Sequence, residues 1–217
     1  MFKKGMLVRY LYLIMGVFCT GMGIALARKS DLGISPVSSI PNVISLKFDF
    51  FTVGTWVMIW NFVMILIQVL ILKKDFKLVQ LLQFPISLLL GVFTDLGVMI
   101  VAGIPTDYYI VRILIILSSV VVLATGVVFM LTSNTIMNVG EALVNVIATK
   151  LNKNFGTIKV IFDLTLVSIS VIVSFIIFKE IRGTREGTVI TACLTGFVVK
   201  LLSKILKKPL EKLIPKG

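Results

Sequence analysis

Apolar residues along this chain run on in long unbroken stretches and do not alternate with polar ones. Six stretches stand out: Leu7–Ala27, Gly54–Leu72, Val79–Ala102, Tyr109–Leu131, Gly156–Phe178 and Gly187–Leu206. Each approaches or exceeds the ~20 residues that a helix needs to cross ~30 Å of hydrocarbon. Each is therefore expected to be a transmembrane helix, the third one broken at Pro85. Two shorter segments, Pro36–Phe48 and Val139–Leu151, lie between such stretches. At 1.5 Å per residue a helix of ~12 residues reaches only ~18 Å, too short to cross. Gly33 permits an unusual turn before the first segment, Ser35 is a candidate N-cap, and Pro36 suits a first helical turn, with a second proline at Pro41. Such a segment is either re-entrant or interfacial. Its polar residues, Ser35, Ser38, Ser39, Asn42 and Ser45, include no basic stripe of the kind that surface-lying helices carry. That favours a re-entrant helix lining a polar cavity.

The two short segments are related. Asn42-Val43-Ile44-Ser45-Leu46-Lys47-Phe48 is echoed by Asn145-Val146-Ile147-Ala148-Thr149-Lys150-Leu151, four identities in seven at an offset of 103. Upstream, Thr20-Gly21 and Leu26 return as Thr125-Gly126 and Leu131. Downstream, Gly54-Thr55 with Ile59-Trp60-Asn61 returns as Gly156-Thr157 with Ile161-Phe162-Asp163. The chain thus reads as two tandem units, residues 1–104 with the short helix 36–48 and residues 105–217 with the short helix 139–151. Three crossings per unit is an odd number, so the units are expected upside down relative to each other. The fold class that follows is an all-α polytopic membrane protein with six transmembrane helices. They form two inverted three-helix repeats, each with a short re-entrant or interfacial helix.

Composition agrees, with 58% apolar residues and a mean hydropathy of +1.07, outside the range of soluble domains. The bilayer is the first partner implied. Lys3 and Lys4 precede the first apolar stretch as in a signal peptide. That stretch is too long for an h-region, though, and Arg28-Lys29-Ser30-Asp31 is no small-residue cleavage site, so it is expected to be retained. The net charge of +12 comes from cations scattered between the stretches, with no basic-aromatic module, so no nucleic-acid partner is expected. With the N-terminus inside, 14 cations fall on cytoplasmic segments, among them Lys3, Lys4 and Lys216, or 15 with Lys159. Seven fall outside, Arg28 among them. The positive-inside rule then places both termini in the cytoplasm of a bacterial plasma-membrane protein. The pair Tyr108-Tyr109 suits an interface.

There is no histidine, and Cys19 and Cys193 both lie in apolar stretches. Thiol–imidazole and serine–histidine catalysis are excluded, no metal or cofactor is implied, and two buried, inert thiols are expected. The candidate chemistry is polar residues set in or beside apolar runs. Asn61 and Gln68 share one face of the second stretch, and Asp95 follows Gly91 in the third. Lys159 and Asp163 stand four apart in the fifth and can pair, while Glu141 and Asn145 lie on the second short segment. Charged groups at that depth are costly and mark cavities or partners. Asn42, Asn61, Asp95, Glu141, Asn145, Lys159 and Asp163 are therefore the candidate solute-binding residues.

Gly33-Ile34-Ser35-Pro36, Gly54-Thr55, Gly91-x-x-x-Asp95, Lys159-x-x-x-Asp163 and Gly187-Thr188 in this order resemble the YitT/YczE family of bacterial integral membrane proteins. The resemblance implies an integral plasma-membrane protein and helps the fold more than the function. From the inverted units, a transporter or facilitator of an unidentified small solute is the favoured expectation. Self-association into a homo-oligomer is left open. A substrate-binding subunit of an energy-coupling transporter, or an accessory membrane protein without transport activity, stands as the alternative. An enzyme is not expected, because closely spaced carboxylates are lacking.

Overall fold

The computed structural model describes residues 4–215. Lys3 and Lys216, counted among the cytoplasmic cations, lie outside the described residues. The helices are α1 (Lys4–Ser30), α2 (Pro36–Lys47), α3 (Val53–Leu72), α4 (Gln83–Val101), α5 (Tyr109–Ser133), α6 (Val139–Lys150), α7 (Phe155–Phe178) and α8 (Glu186–Lys212). All but α2 and α6 are long and apolar enough to cross a membrane, so this is an all-α, multi-pass membrane protein. The break expected at Pro85 is instead a helix start. Short 3-10 turns at Lys73–Asp75 and Leu78–Leu82 lead into α4, and Pro85 sits in its first turn, where a missing N–H costs nothing.

α1 is the hub. Arg9 near its start donates to the Ser133 carbonyl at the end of α5 (3.0 Å), while Asp31 just past its end pairs with Arg112 at the start of α5 (3.2 Å). α1 and α5 are therefore antiparallel. Lys29 donates to the Ala102 carbonyl (2.8 Å), joining the ends of α1 and α4, which run parallel. Tyr12 donates to the Leu210 carbonyl (3.1 Å), so both chain ends share one side, called here the termini side. The opposite face is the far side.

The turns that follow α1 and α5 have like backbone conformations, 103 residues apart. Ser30 and Ser133 each end a long helix with the hydroxyl on the carbonyl three residues back, at 2.6 Å in both cases. Asp31 and Asn134 follow with positive φ, 56° and 47°. Ser35 (φ −58°, ψ 148°) and Asn138 (φ −58°, ψ 145°) then precede α2 and α6, each of 12 residues. α2 and α6 both wedge between α3 and α7.

The short helices are largely buried within the bundle. After α1 the chain turns back and descends along α8: the Gly187 amide donates to the Leu32 carbonyl (2.7 Å), Ile34 N–H to Thr188 Oγ1 (3.2 Å), and Thr191 Oγ1 to the Ile34 carbonyl (3.3 Å). Gly33 in this segment has φ +119°, and a Cβ there would overlap Thr188 Oγ1, so only glycine fits. α2 then climbs back towards the far side. Its first turn meets that of α6, where the Val37 side chain lies 3.1 Å from the place a Cβ on Gly140 would take. Two helix N-termini thus face each other deep in the fold.

Candidate functional site

The halves differ in the packing of their last two helices. In the first, α3 and α4 are closed on each other: a Cβ on Gly91 would come within 2.8 Å of the Gly54 carbonyl, and one on Gly54 would overlap the Gly91 carbonyl. Asp95 of α4 fastens this contact by accepting from Gly54 N–H (2.8 Å) and from the Thr52 hydroxyl (2.6 Å) at the start of α3. In the second half, α7 and α8 barely touch among the described residues. The amide of Gly156, counterpart of Gly54, is capped by its own neighbour Asn154 (2.8 Å). Gly196 of α8 has no atom within 4 Å of a built Cβ.

The space left between α7 and α8 is a cavity of about 600 Å³ reaching the centre of the fold. Its wall is mostly apolar, and it is touched by the first turns of both α2 and α6. Of the candidate residues, Asn61, Glu141, Lys159 and Asp163 line it. Lys159 and Asp163 form an ion pair at 2.8 Å, as a spacing of four on one helix allows. Gln68, expected on the face of Asn61, is also buried, but its amide exchanges hydrogen bonds with Gln83 of α4 (3.1 and 3.3 Å).

The remaining candidates lie elsewhere. Asp95 is the α3–α4 fastener. Asn145 is exposed on α6 and lines none of the cavity. Asn42 is buried outside the cavity, where its Oδ1 accepts from Arg28 (2.7 Å) and its amide donates to the Gly183 carbonyl (3.0 Å). Arg28 also donates to Ser45 (2.6 Å), so α1, α2 and the loop before α8 are tied together on the far side. Arg28, one of the cations expected outside, is half-buried on the last turn of α1. Ser35 holds the N-cap position of α2 without a capping bond, because its hydroxyl turns to Ser38 (3.4 Å). Both cysteines are free, and Cys193 is exposed, not buried, since α8 turns only one face to the bundle.

Trp60 and Thr195 were not among the candidates. Both line the cavity, and Trp60 Nε1 and Thr195 Oγ1 are buried without a partner among the described residues, as are Asn61 Nδ2 and Glu141 Oε2. Such orphans are costly unless something completes them. Pro41 adds another: it has no N–H to give the Val37 carbonyl, and both residues stand on the cavity wall.

A family of unknown function, DUF6198, matches residues 7–204 of this sequence. The chain belongs to DUF6198. The matched span holds both short helices and every residue of the cavity wall, so DUF6198 membership applies to the site as well as to the scaffold. Uncharacterized protein YyaS of Bacillus subtilis (strain 168) is 23% identical over 202 residues, covering 93% of this chain and 95% of that one. No solved structure matches the chain.

Proposed function

We propose that this protein is a transporter or facilitator of a small solute, bound in the cavity between α7 and α8 and released by exchanging the arrangements of its two halves. The observation that carries the reading is the unequal packing of α3 with α4 and of α7 with α8. α3 and α4 are shut through Gly54, Gly91 and Asp95, while α7 and α8 stand apart with Gly156 and Gly196 idle. A glycine inside a helix costs about 0.5–1 kcal/mol relative to alanine, so an idle Gly196 is explained by a second state in which it is used. In that state α7 and α8 close as α3 and α4 do here, and α3 and α4 part. Lys200, which stands to Gly196 as Asp95 stands to Gly91, then reaches Asn154. Inverted units around one central site are the usual basis of such alternating access.

The solute-binding roles of Asn61, Glu141, Lys159 and Asp163 belong to this proposal, and no catalytic step does. The excess of cations on the termini side supports a cytoplasmic position for both termini, and the Bacillus relative supports a bacterial plasma membrane. The cavity described here is then the inward-facing one, with the Arg28–Asn42–Gly183 tie sealing the exterior. Kinship with the YitT/YczE proteins is part of the same proposal, on the motif order given above.

The test uses cysteine pairs in a Cys19→Ser/Cys193→Ser background. Asn154→Cys with Lys200→Cys is expected to cross-link in membranes as the protein visits the second state. Adding Gly196→Leu, which meets no neighbour in the present state, is expected to abolish that cross-link without lowering thermal stability. A pair that never links, or links equally with Gly196→Leu, removes alternating access.

A further inference from the structure

The cavity's unused hydrogen-bonding groups identify the class of solute, on the reading that this cavity is the transport site. Donors without partners are Trp60 Nε1 and Asn61 Nδ2, the latter on a side chain only 3% exposed. The first turn of α2 adds the Val37 N–H, which no side chain caps. These groups call for an acceptor. The acceptor without a partner is Glu141 Oε2, and the Val37 carbonyl receives no N–H from Pro41 four residues on. They call for a donor, and a carboxylate is best completed by a cation.

Charge decides between a solute with one such end and a solute with both. Lys159 and Asp163 cancel each other at 2.8 Å. The two facing helix N-termini carry about half a positive charge each, and together they balance the single negative charge of Glu141. The empty cavity is therefore close to neutral, and a simple cation or a simple anion would leave an excess charge in an apolar enclosure. A zwitterion brings no net charge and meets both sets of orphans. The rest of the wall, with Ile24, Val57, Leu90, Leu123 and Val160, is suited to an apolar body. We propose that the solute is a zwitterion with an apolar side group, of the α-amino-acid type, with its ammonium at Glu141 and the Val37 carbonyl and its carboxylate at Trp60, Asn61 and the start of α2.

The probe for binding is Trp60 fluorescence in a Trp56→Phe variant, which leaves one of the chain's 2 tryptophans, with thermal shift of the wild-type protein beside it. The ligands are leucine, 3-methylbutylamine, which lacks the carboxylate, and 4-methylpentanoate, which lacks the ammonium. Leucine is expected to bind, and each analogue about tenfold or more weaker, the loss expected when a buried charged group is left unpaired. Glu141→Gln is expected to make leucine and 4-methylpentanoate bind alike, and Asn61→Leu to narrow the gap between leucine and the amine. Both variants are first checked for an unchanged unfolding temperature. If either variant unfolds early, the three-ligand ranking on wild-type protein decides alone. An amine that binds as tightly as leucine identifies an organic-cation site, an acid that does so an anion site, and either overturns the proposal. So does failure of leucine, valine, methionine and phenylalanine alike to bind. The 154–200 cross-link reports closure without any ligand, so it can stand while the zwitterion falls.

Discussion

The carboxylate of Asp95 caps the amide of Gly54 at 2.8 Å, so a residue of α4 performs for α3 what Asn154 performs for α7 from within its own chain end. The cap is thus also a fastener between two helices. Asp95→Leu is expected to lower stability by about 1.5–3 kcal/mol, the range for a hydrogen bond to a charged group. Asp95→Asn keeps one acceptor and is expected to lose less. If the fastener holds a gate, both changes also raise far-side labelling of Val57→Cys, which replaces a buried residue of the cavity wall. A loss of stability with unchanged labelling would mean that the contact is structural only.

Lys159 and Asp163 are the charged pair on the cavity wall. Removing one partner strands the other in an apolar setting, at about 3–5 kcal/mol, whereas replacing both is near neutral. Lys159→Met and Asp163→Leu are each expected to reduce yield and unfolding temperature, and the double variant to recover most of both. Stability that falls additively would show that each residue is held by something other than its partner. The pair's part in transport is read separately, by uptake in the double variant once it is shown to be folded.

Much of this was legible in the sequence, for physical reasons that also mark where legibility ended. Six apolar runs specify six crossings because bilayer thickness sets helix length. Pro36, the repeat offset and the shortness of 36–48 and 139–151 marked the two half-helices. Asn61, Glu141, Lys159 and Asp163 stood out because polar groups are expensive in apolar runs. Asn42 and Asn145 share a motif, but one side chain meets Arg28 and the other is exposed, a difference that the motif does not carry. Trp60 reads as apolar until its indole N–H is seen without a partner, and Thr195 is one hydroxyl among many. The gap between α7 and α8 has no signal in hydropathy, because it depends on which of two packings is occupied and not on which residues are apolar.

Gln68 and Gln83 form a closed amide pair between α3 and α4, on the termini side of the Gly54–Gly91 contact. Both are buried, at 0% and 3% exposure. Gln68→Leu or Gln83→Leu leaves one amide unpaired and is expected to cost about 1–3 kcal/mol. The double leucine variant should lie within about 1 kcal/mol of wild type, as a shape-matched apolar replacement does. The measurement is a double-mutant cycle on thermal unfolding in detergent. A double variant as damaged as the sum of its singles would place the amides' main partners elsewhere, with the Val139 carbonyl, 3.4 Å from Gln68 Nε2, the first to examine.

Arg28 joins the far-side seal with a single nitrogen, at 2.7 Å to Asn42 and 2.6 Å to Ser45, and Asn42 passes the link to the Gly183 carbonyl at 3.0 Å. The arginine holds α2 by its C-terminal end, while the segment 31–35 holds it at the start. Arg28→Met keeps most of the side chain's packing and strands the Asn42 and Ser45 oxygens, so a loss of about 2–4 kcal/mol is expected, one to two unpaired buried groups' worth. Arg28→Lys carries the charge as a point without the planar fork and is expected to recover only part of it. The seal also separates the cavity from the far side. Arg28→Met is therefore expected to expose Ser38→Cys to a membrane-impermeant reagent from that side, while Cys19→Ser/Cys193→Ser protein with Arg28 intact protects it. Protection that survives Arg28→Met would assign the closure to the packing of Leu32 and Ile34 on α8 and leave Arg28 the narrower task of anchoring α2.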